Sequence, residues 1–380
     1  MSEKLSDIEH VRKRPGMYVG DTTSRGLHHL PGEIIGNSID EFLRGRATRV
    51  AVSVQDGIVT VADDGSGMPF DQPSILDGAS LANDYLSSFH RTPSADNHGP
   101  HVHFHSALGV GMFVVNALSE SFKVESWRNG RLYRQSFARG VPTSELEVSD
   151  GSNAEPFLGN SDRPKRGTRV TYKADPEIFG ERLTDALCIR SQLFDAAHLH
   201  PGIVIELQNE RFCAPGGLGD FVRFSSFSTV TDCFSFNEVH DEVAIHAAAS
   251  TGTISVMGSV RSDDDSTRWV TWANGVRTVY GNTSGTHEDA FAEALESVGW
   301  QPRIAMIHVV MREPMYAGPT KAKLDVPEKK ASHDRCVKAR PRIVLPSSRA
   351  RAFQGNGLEN VSVLPRRHQT PSRFFMISMW

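Results

Sequence analysis

The chain has 380 residues, 39% of them hydrophobic and 23% charged, with a formal net charge of -4. That length suits two domains with separate cores, and no apolar run approaches the ~18 residues that mark a membrane span. Four scattered cysteines without a Cys-x-x-Cys pair read as thiols in a reducing compartment. The charged N-terminus lacks a secretory apolar core, so a cytoplasmic protein is expected. Charge is unevenly spread. Beyond residue 331, Arg335, Lys338, Arg340, Arg342, Arg349, Arg351, Arg366, Arg367 and Arg373 face only Asp334 and Glu359, leaving an acidic body and a basic tail.

In chain order, Leu5 to Val11 predicts a short helix stopped by Pro15-Gly16. Apolar residues at Leu27, Leu30, Ile34, Ile35, Ile39, Phe42 and Leu43 predict a helix between Gly26 and Gly45, its regular part starting near Pro31. Val50–Val54 and Ile58–Ala62 alternate as strands about Asp56-Gly57. Periodicity vanishes from Ser87 to Leu108, the composition of a long loop. A glycine-led helix follows from Gly109 to Leu118, then two strands about Asn129-Gly130, a strand at Arg169–Tyr172, a helix over Glu177–His198 and a strand at Ile203–Leu207. This mixture predicts an α+β sandwich with helices on one face of a mixed, mainly antiparallel sheet.

The turn cluster Ala214-Pro215-Gly216-Gly217 marks a boundary, giving units 1–213, 214–328 and a basic, disordered tail at 329–380. The middle unit reads as strands at 242–247, 254–260 and 269–272, a helix from Gly285 to Ser297 and a buried strand at 304–310, a small α/β arrangement.

Helical spacing aligns Glu33, Asn37, Asp40 and Glu41 on one face. Alone, this is equally the pattern of a solvated face. Asp63-x-Gly65-x-Gly67 then follows a strand, where glycines admit a flat ligand and a carboxylate can accept from an exocyclic amine. Gly109-x-Gly111 opens a helix where phosphate could approach backbone N–H groups. Gly167-Thr168 precedes another strand, and no P-loop signature occurs. The ordered set points to a nucleotide site.

These boxes, with Arg12-Lys13-Arg14-Pro15-Gly16-Met17-Tyr18, Val114-Val115-Asn116-Ala117-Leu118-Ser119, Gly285-Thr286-His287 and Thr320-Lys321-Ala322-Lys323-Leu324, resemble the GHKL ATPases of the type IIA topoisomerase branch, over about residues 5–328. The resemblance implies a Bergerat sandwich followed by an S5-like transducer domain, and ATP with Mg2+ as cofactors. It implies Glu33 as general base, Asn37 as Mg2+ ligand, Asp63 and Thr168 at the adenine, and Gly65, Gly67 and Met68 around the base. Gly109, Val110 and Gly111 would cradle phosphates, and Lys321 would reach the γ-phosphate as a second catalytic group. It further implies an ATP-driven homodimer, a gyrase A-like cleavage protein and DNA as partners, with no membrane association.

Departures accompany it. Ser66 stands where the family has arginine, leaving Glu41 without its expected partner; Pro319 replaces glutamine and Gly36 an acid. The Ser87–Leu108 loop, which the resemblance makes an ATP lid, carries His90, His98, His101, His103 and His105, a polar loop more simply than a zinc site. No acidic DNA-cleavage motif follows residue 329. An ATP-hydrolysing topoisomerase module and a catalytically weak nucleotide-binding regulator both fit these features.

Overall fold

The computed structural model describes residues 6–74, 80–89, 110–152, 166–226, 233–240, 243–251, 267–278, 285–297, 299–311, 314–317 and 323–325. The histidine-bearing loop, Gly109, the strand expected at 254–260, Pro319, Lys321 and the basic tail lie outside them.

Short helices open the chain: α1 (Asp7–Lys13), α2 (Gly16–Val19) and α3 (Ser24–Leu27), followed by the long α4 (His29–Leu43). A capping box between Ser6 and Glu9 starts α1. The single helix expected from Gly26 is thus two, joined at His28. Pro31 falls in the first turn of α4, where its missing N–H leaves no intrahelical bond unmade.

Among the described residues the first sheet has nine strands: β1 (Arg49–Gln55), β2 (Ile58–Asp63), β3 (Ser119–Arg128), β4 (Arg131–Ala138), β5 (Val141–Pro142), β6 (Glu147–Ser149), β7 (Gly167–Ala174), β8 (Val204–Leu207) and β9 (Glu210–Phe212). Their order is β5-β4-β3-β7-β2-β1-β8-β9, with β6 on β4. Only β1 and β8 pair in parallel, so the sheet is mixed and mainly antiparallel, as the sequence indicates. Asp56-Gly57 and Asn129-Gly130 both have positive φ, the conformation that tight hairpins between twisted strands require. Val50, Val52, Val59, Val61, Val124 and Val170 bury one face against α4, α6 (Gly111–Ala117) and their neighbours, including α5 (Leu81–Ser87).

The helix expected over 177–198 is broken. Gly180, at φ 66, ends α7 (Pro176–Phe179), and Asp185 caps a new helix, α8 (Ala186–Leu199). Beyond α9 (Leu218–Ser225), a second sheet runs β10-β11-β14-β12-β13 from β10 (Cys233–His240), β11 (Val243–Ser250), β12 (Arg268–Ala273), β13 (Val276–Thr278) and β14 (Ile304–Met311), with α10 (Thr286–Ser297) before the last strand. Strands β12 and β14 are parallel, as a helical crossover demands. Phe221, Val222, Ala248, Trp272 and Met306 join the same buried cluster as the first sheet's core. The two sheets meet across a packed seam.

Candidate functional site

Helix α4 forms one wall. Glu33 is 8% exposed, although it sits on a helix with polar neighbours. One turn before it, His29 Nε2 stands 3.6 Å from Glu33 Oε1. On the other side comes α6: a Cβ placed on Gly111 would lie 2.2 Å from Glu33 Oε2. Glycine here lets backbone reach a carboxylate, a contact any larger residue would exclude. Val110 caps that helix. One turn beyond Glu33, Asn37 is half-buried, and its carboxamide makes no hydrogen bond with a described residue. A polar group so placed has its bonding capacity free for a ligand.

The second wall is built by strand register. Pairing of β2 with β7 sets Asp63 opposite Thr168, and pairing of β3 with β7 sets Ser126 opposite Thr168. Asp63, 5% exposed, accepts from Gly65 N at 2.9 Å and Thr168 N at 3.3 Å through Oδ1, and from Ser38 Oγ at 2.9 Å through Oδ2. Burial dominates its titration and pushes the carboxyl up to about 6, with Glu41 adding to the rise and the three donors opposing it. The donors arrive from helix, turn and strand, so the carboxylate is fixed in direction.

Between the walls lies the turn Gly65-Ser66-Gly67-Met68. Gly67 has φ +75, and a Cβ there would meet Trp127 O at 2.5 Å, so both conformation and space call for glycine. Arg128 Nη1 donates to the carbonyls of Ser66 (3.3 Å) and Gly67 (3.2 Å), while its Nε pairs with Asp71 at 3.0 Å. Ser126 Oγ donates to Met68 O at 2.9 Å. The turn is thereby fastened to β3.

Glu41 departs from expectation. Its Oε2 accepts from both the amide (2.9 Å) and the hydroxyl (2.5 Å) of Ser66, and Arg44 and Arg46 approach Oε1 at 3.3 and 3.7 Å. Burial raises this carboxyl, yet the Ser66 bonds and the two guanidinium groups together hold it below the usual range. The side chain is fully partnered, because a short hydroxyl beside a glycine lets the turn itself close onto the helix.

The structure therefore gathers Glu33, Asn37, Asp63, Gly65, Gly67, Met68, Val110, Gly111 and Thr168 around α4 and the ends of β2 and β7; Gly109 and Lys321 lie outside the described residues. Motif reading missed His29, Ser38, Ser126 and Arg128 as site residues. His29 was legible from its i−4 spacing to Glu33 and Ser38 from its place beside Asn37, whereas Ser126 and Arg128 depend on sheet register. Among the described residues, no cluster of His, Cys, Asp or Glu could hold a metal by itself.

A helix bearing a buried glutamate and a free asparagine one turn apart, over a sheet ending in a buried aspartate, defines a GHKL-type nucleotide domain. Residues 22–178 match the family described as histidine kinase-, DNA gyrase B-, and HSP90-like ATPases, and that stretch of the chain is a domain of that family. Within it, the likeness is to DNA gyrase B. The gyrase B of Staphylococcus epidermidis is 32% identical over 87% of this chain and 53% of its own length, and that of Staphylococcus aureus is 32% identical over 84% and 51%. The chain thus spans about half the length of these relatives. Among solved structures, the 43K ATPase domain of Thermus thermophilus gyrase B, bound to an aminocoumarin, aligns with TM-score 0.62 and 29% identity over 84% of this chain and 85% of that one. A topoisomerase IV ATP-binding domain of Francisella tularensis shares the fold, with TM-score 0.59 and 24% identity over 85% and 87%. The chain carries a gyrase B-like ATPase domain.

Proposed function

We propose that the chain binds and hydrolyses ATP as the energy-transducing part of a type IIA topoisomerase. The observation that carries this reading is the placement of Glu33: a buried carboxylate in contact with the first residue of α6, with an unengaged asparagine one turn away. Glu33 takes the proton of the attacking water, and His29 orients the carboxylate. Asp63 accepts from the adenine amine, with Thr168 beside it and Gly65, Gly67 and Met68 against the base. Val110 and Gly111 face the phosphates, and the motif assigns Gly109 the same role. The free carboxamide of Asn37 fits an Mg2+ ion, whose remaining ligands would be phosphate oxygens and water and whose charge would offset that of the phosphates. Lys321 neutralises charge on the γ-phosphate.

In this reading residues 1–213 form the ATP-binding unit and 214–328 a transducer, with 329–380 a basic tail. ATP drives dimerisation, which is coupled to strand passage through DNA by a gyrase A-like partner, in the cytoplasm. Steady-state ATP turnover of the chain beside Glu33→Ala tests the catalytic core. Turnover should fall by about a hundredfold or more, with ADP affinity retained. Equal rates would refute the assignment of Glu33.

A further inference from the structure

We infer that Arg12 and Asp175 form a positioning device that holds α6 against Glu33, an inference resting on the ATPase reading above. Helix α6 has seven residues, so its C-terminal carbonyls need partners from outside. They find them in one place. Arg12 Nη1, from α1, donates to Ala117 O at 2.9 Å, and Asp175 N donates to Leu118 O at 3.0 Å; beside them, at the start of β3, Arg139 N donates to Ser119 O at 2.9 Å.

The donors are themselves tied together. Arg12 Nη2 pairs with Asp175 Oδ2 at 2.7 Å, and Arg139 Nε reaches the same oxygen at 2.9 Å. Asp175 Oδ1 caps α7 through Glu177 N at 3.0 Å, and Glu177 pairs with both arginines at 3.3 and 2.8 Å. The Asp175 carboxylate is fully buried. Burial opposes its ionisation, but the Glu177 amide and the two guanidinium groups hold it below the usual carboxylate range, so the fork stays charged at neutral pH.

The same N-terminal segment grips α6 at a second point. Phe89 N donates to the Asp7 carboxylate at 2.9 Å, and the Phe89 ring stacks on Tyr18 at 5.7 Å and meets Phe113 of α6 edge-on at 4.9 Å. Because α6 is a single rigid unit of about 10 Å, a shift where Arg12 holds it is felt at Gly111, where no slack exists against Glu33 Oε2. Arg12 touches neither base nor substrate; it acts through α6.

The test compares Arg12→Met, Arg12→Lys and Asp175→Asn with the parent chain and Glu33→Ala, measuring kcat and KM for ATP, ADP affinity and thermal midpoint. Arg12→Met keeps the aliphatic stem and removes the fork, so kcat should fall about tenfold or more, since a small misplacement of reacting groups is costly. ADP affinity should change less than about threefold, because the Asp63 end is untouched. Arg12→Lys restores charge without the fork, and should recover only part of kcat. An unchanged kcat in Arg12→Met, alongside abolished turnover in Glu33→Ala, overturns this inference and leaves the ATPase reading standing. Loss of kcat that simply tracks the thermal midpoint across the three variants overturns it as well. Unchanged turnover in Glu33→Ala would refute the parent reading instead.

Discussion

The two sheets each bury a group of titratable side chains, and they treat them in opposite ways. At the end of the first sheet, Asp63 is surrounded by donors and pushed up to about 6. At the seam with the second sheet, three imidazoles crowd together. His200 caps α8, His246 and His308 face each other across β11 and β14, and the ring centroids of His308 lie 5.9 Å from His200 and 5.4 Å from His246. Gly275 N donates to His308 Nε2 at 3.1 Å, which fixes that ring as a neutral acceptor. Burial, followed by the charge of His246, drives His200 down to about 3; burial, followed by His246, His200 and His287 on α10, drives His308 well below its usual value. His287 itself is held at about 4 by burial alone. One region tolerates a charge that a ligand can use; the other keeps its imidazoles neutral.

Acid should therefore stress the two regions with opposite sign, and the largest effect belongs to the seam. A histidine whose folded value is depressed contributes stability that is complete above its unfolded value, about 6.5, and that drains as pH falls towards the folded value. Each neutral imidazole loses about 1.4 kcal/mol per pH unit in that window. His200 and His287 together remove on the order of 5 kcal/mol between pH 6.5 and 4.5. That is a large part of an ordinary domain's stability. Urea unfolding at several pH values should show this decline, and His200→Gln should flatten its slope by about 1.4 kcal/mol per unit. A slope indifferent to His200→Gln would show that the seam does not keep its histidines neutral.

The next effect belongs to Asp63. Its folded value is raised from an ordinary 3.8, so the cost of ionising it builds as pH climbs from about 4 to about 6, is complete above that, and is relieved as pH falls back through the same window. At pH 7.5 that cost approaches 3 kcal/mol. Asp63→Asn preserves the geometry: its oxygen can accept from Gly65 and Thr168 while its amide donates to the Ser38 hydroxyl. The variant should unfold at higher urea than the parent at pH 7.5, by about 1–3 kcal/mol, yet bind ATP about 10- to 100-fold more weakly through loss of a charge-assisted hydrogen bond. A variant both less stable and equally tight would mean that Asp63 is a structural acceptor only.

These contrasts also mark what the sequence could disclose. The α4 face, the Asp63 turn and the two Gly-led hairpins were readable because their chemistry is local: helical pitch, a glycine beside an acid, and turns needing positive φ. The break at Gly180 was hidden because Glu177–His198 keeps an apolar period across a turn whose φ only the fold reveals. Strands β10 and β13 and helix α9 escaped because their burial depends on partners far along the chain. Likewise Ser126 and Arg128 become site residues only through pairing of β3 with β7 and contact with the turn. Neither the histidine seam nor the Arg12–Asp175 fork could be read from spacing, since each joins elements separated by long stretches of chain.

Ser66 offers the finest test of how the first region tolerates charge. Read from motif alone, a serine here strips Glu41 of its arginine. In the fold, the Ser66 amide and hydroxyl share Glu41 Oε2, while Arg44 and Arg46 supply positive charge from the end of α4. Ser66→Ala removes the hydroxyl and leaves the amide, so the loss should be that of one half-buried hydrogen bond to a charged group, about 1 kcal/mol by urea unfolding. Glu41 should titrate higher as a result, since the hydroxyl is the strongest influence holding its carboxyl down, and that shift is measurable by NMR of the carboxyl carbon. ATP affinity should change by no more than about threefold, because Asp63 keeps its own donors. A larger loss of affinity would mean that the Glu41–Ser66 contact shapes the base pocket directly, and that the turn and Asp63 respond to nucleotide as one unit.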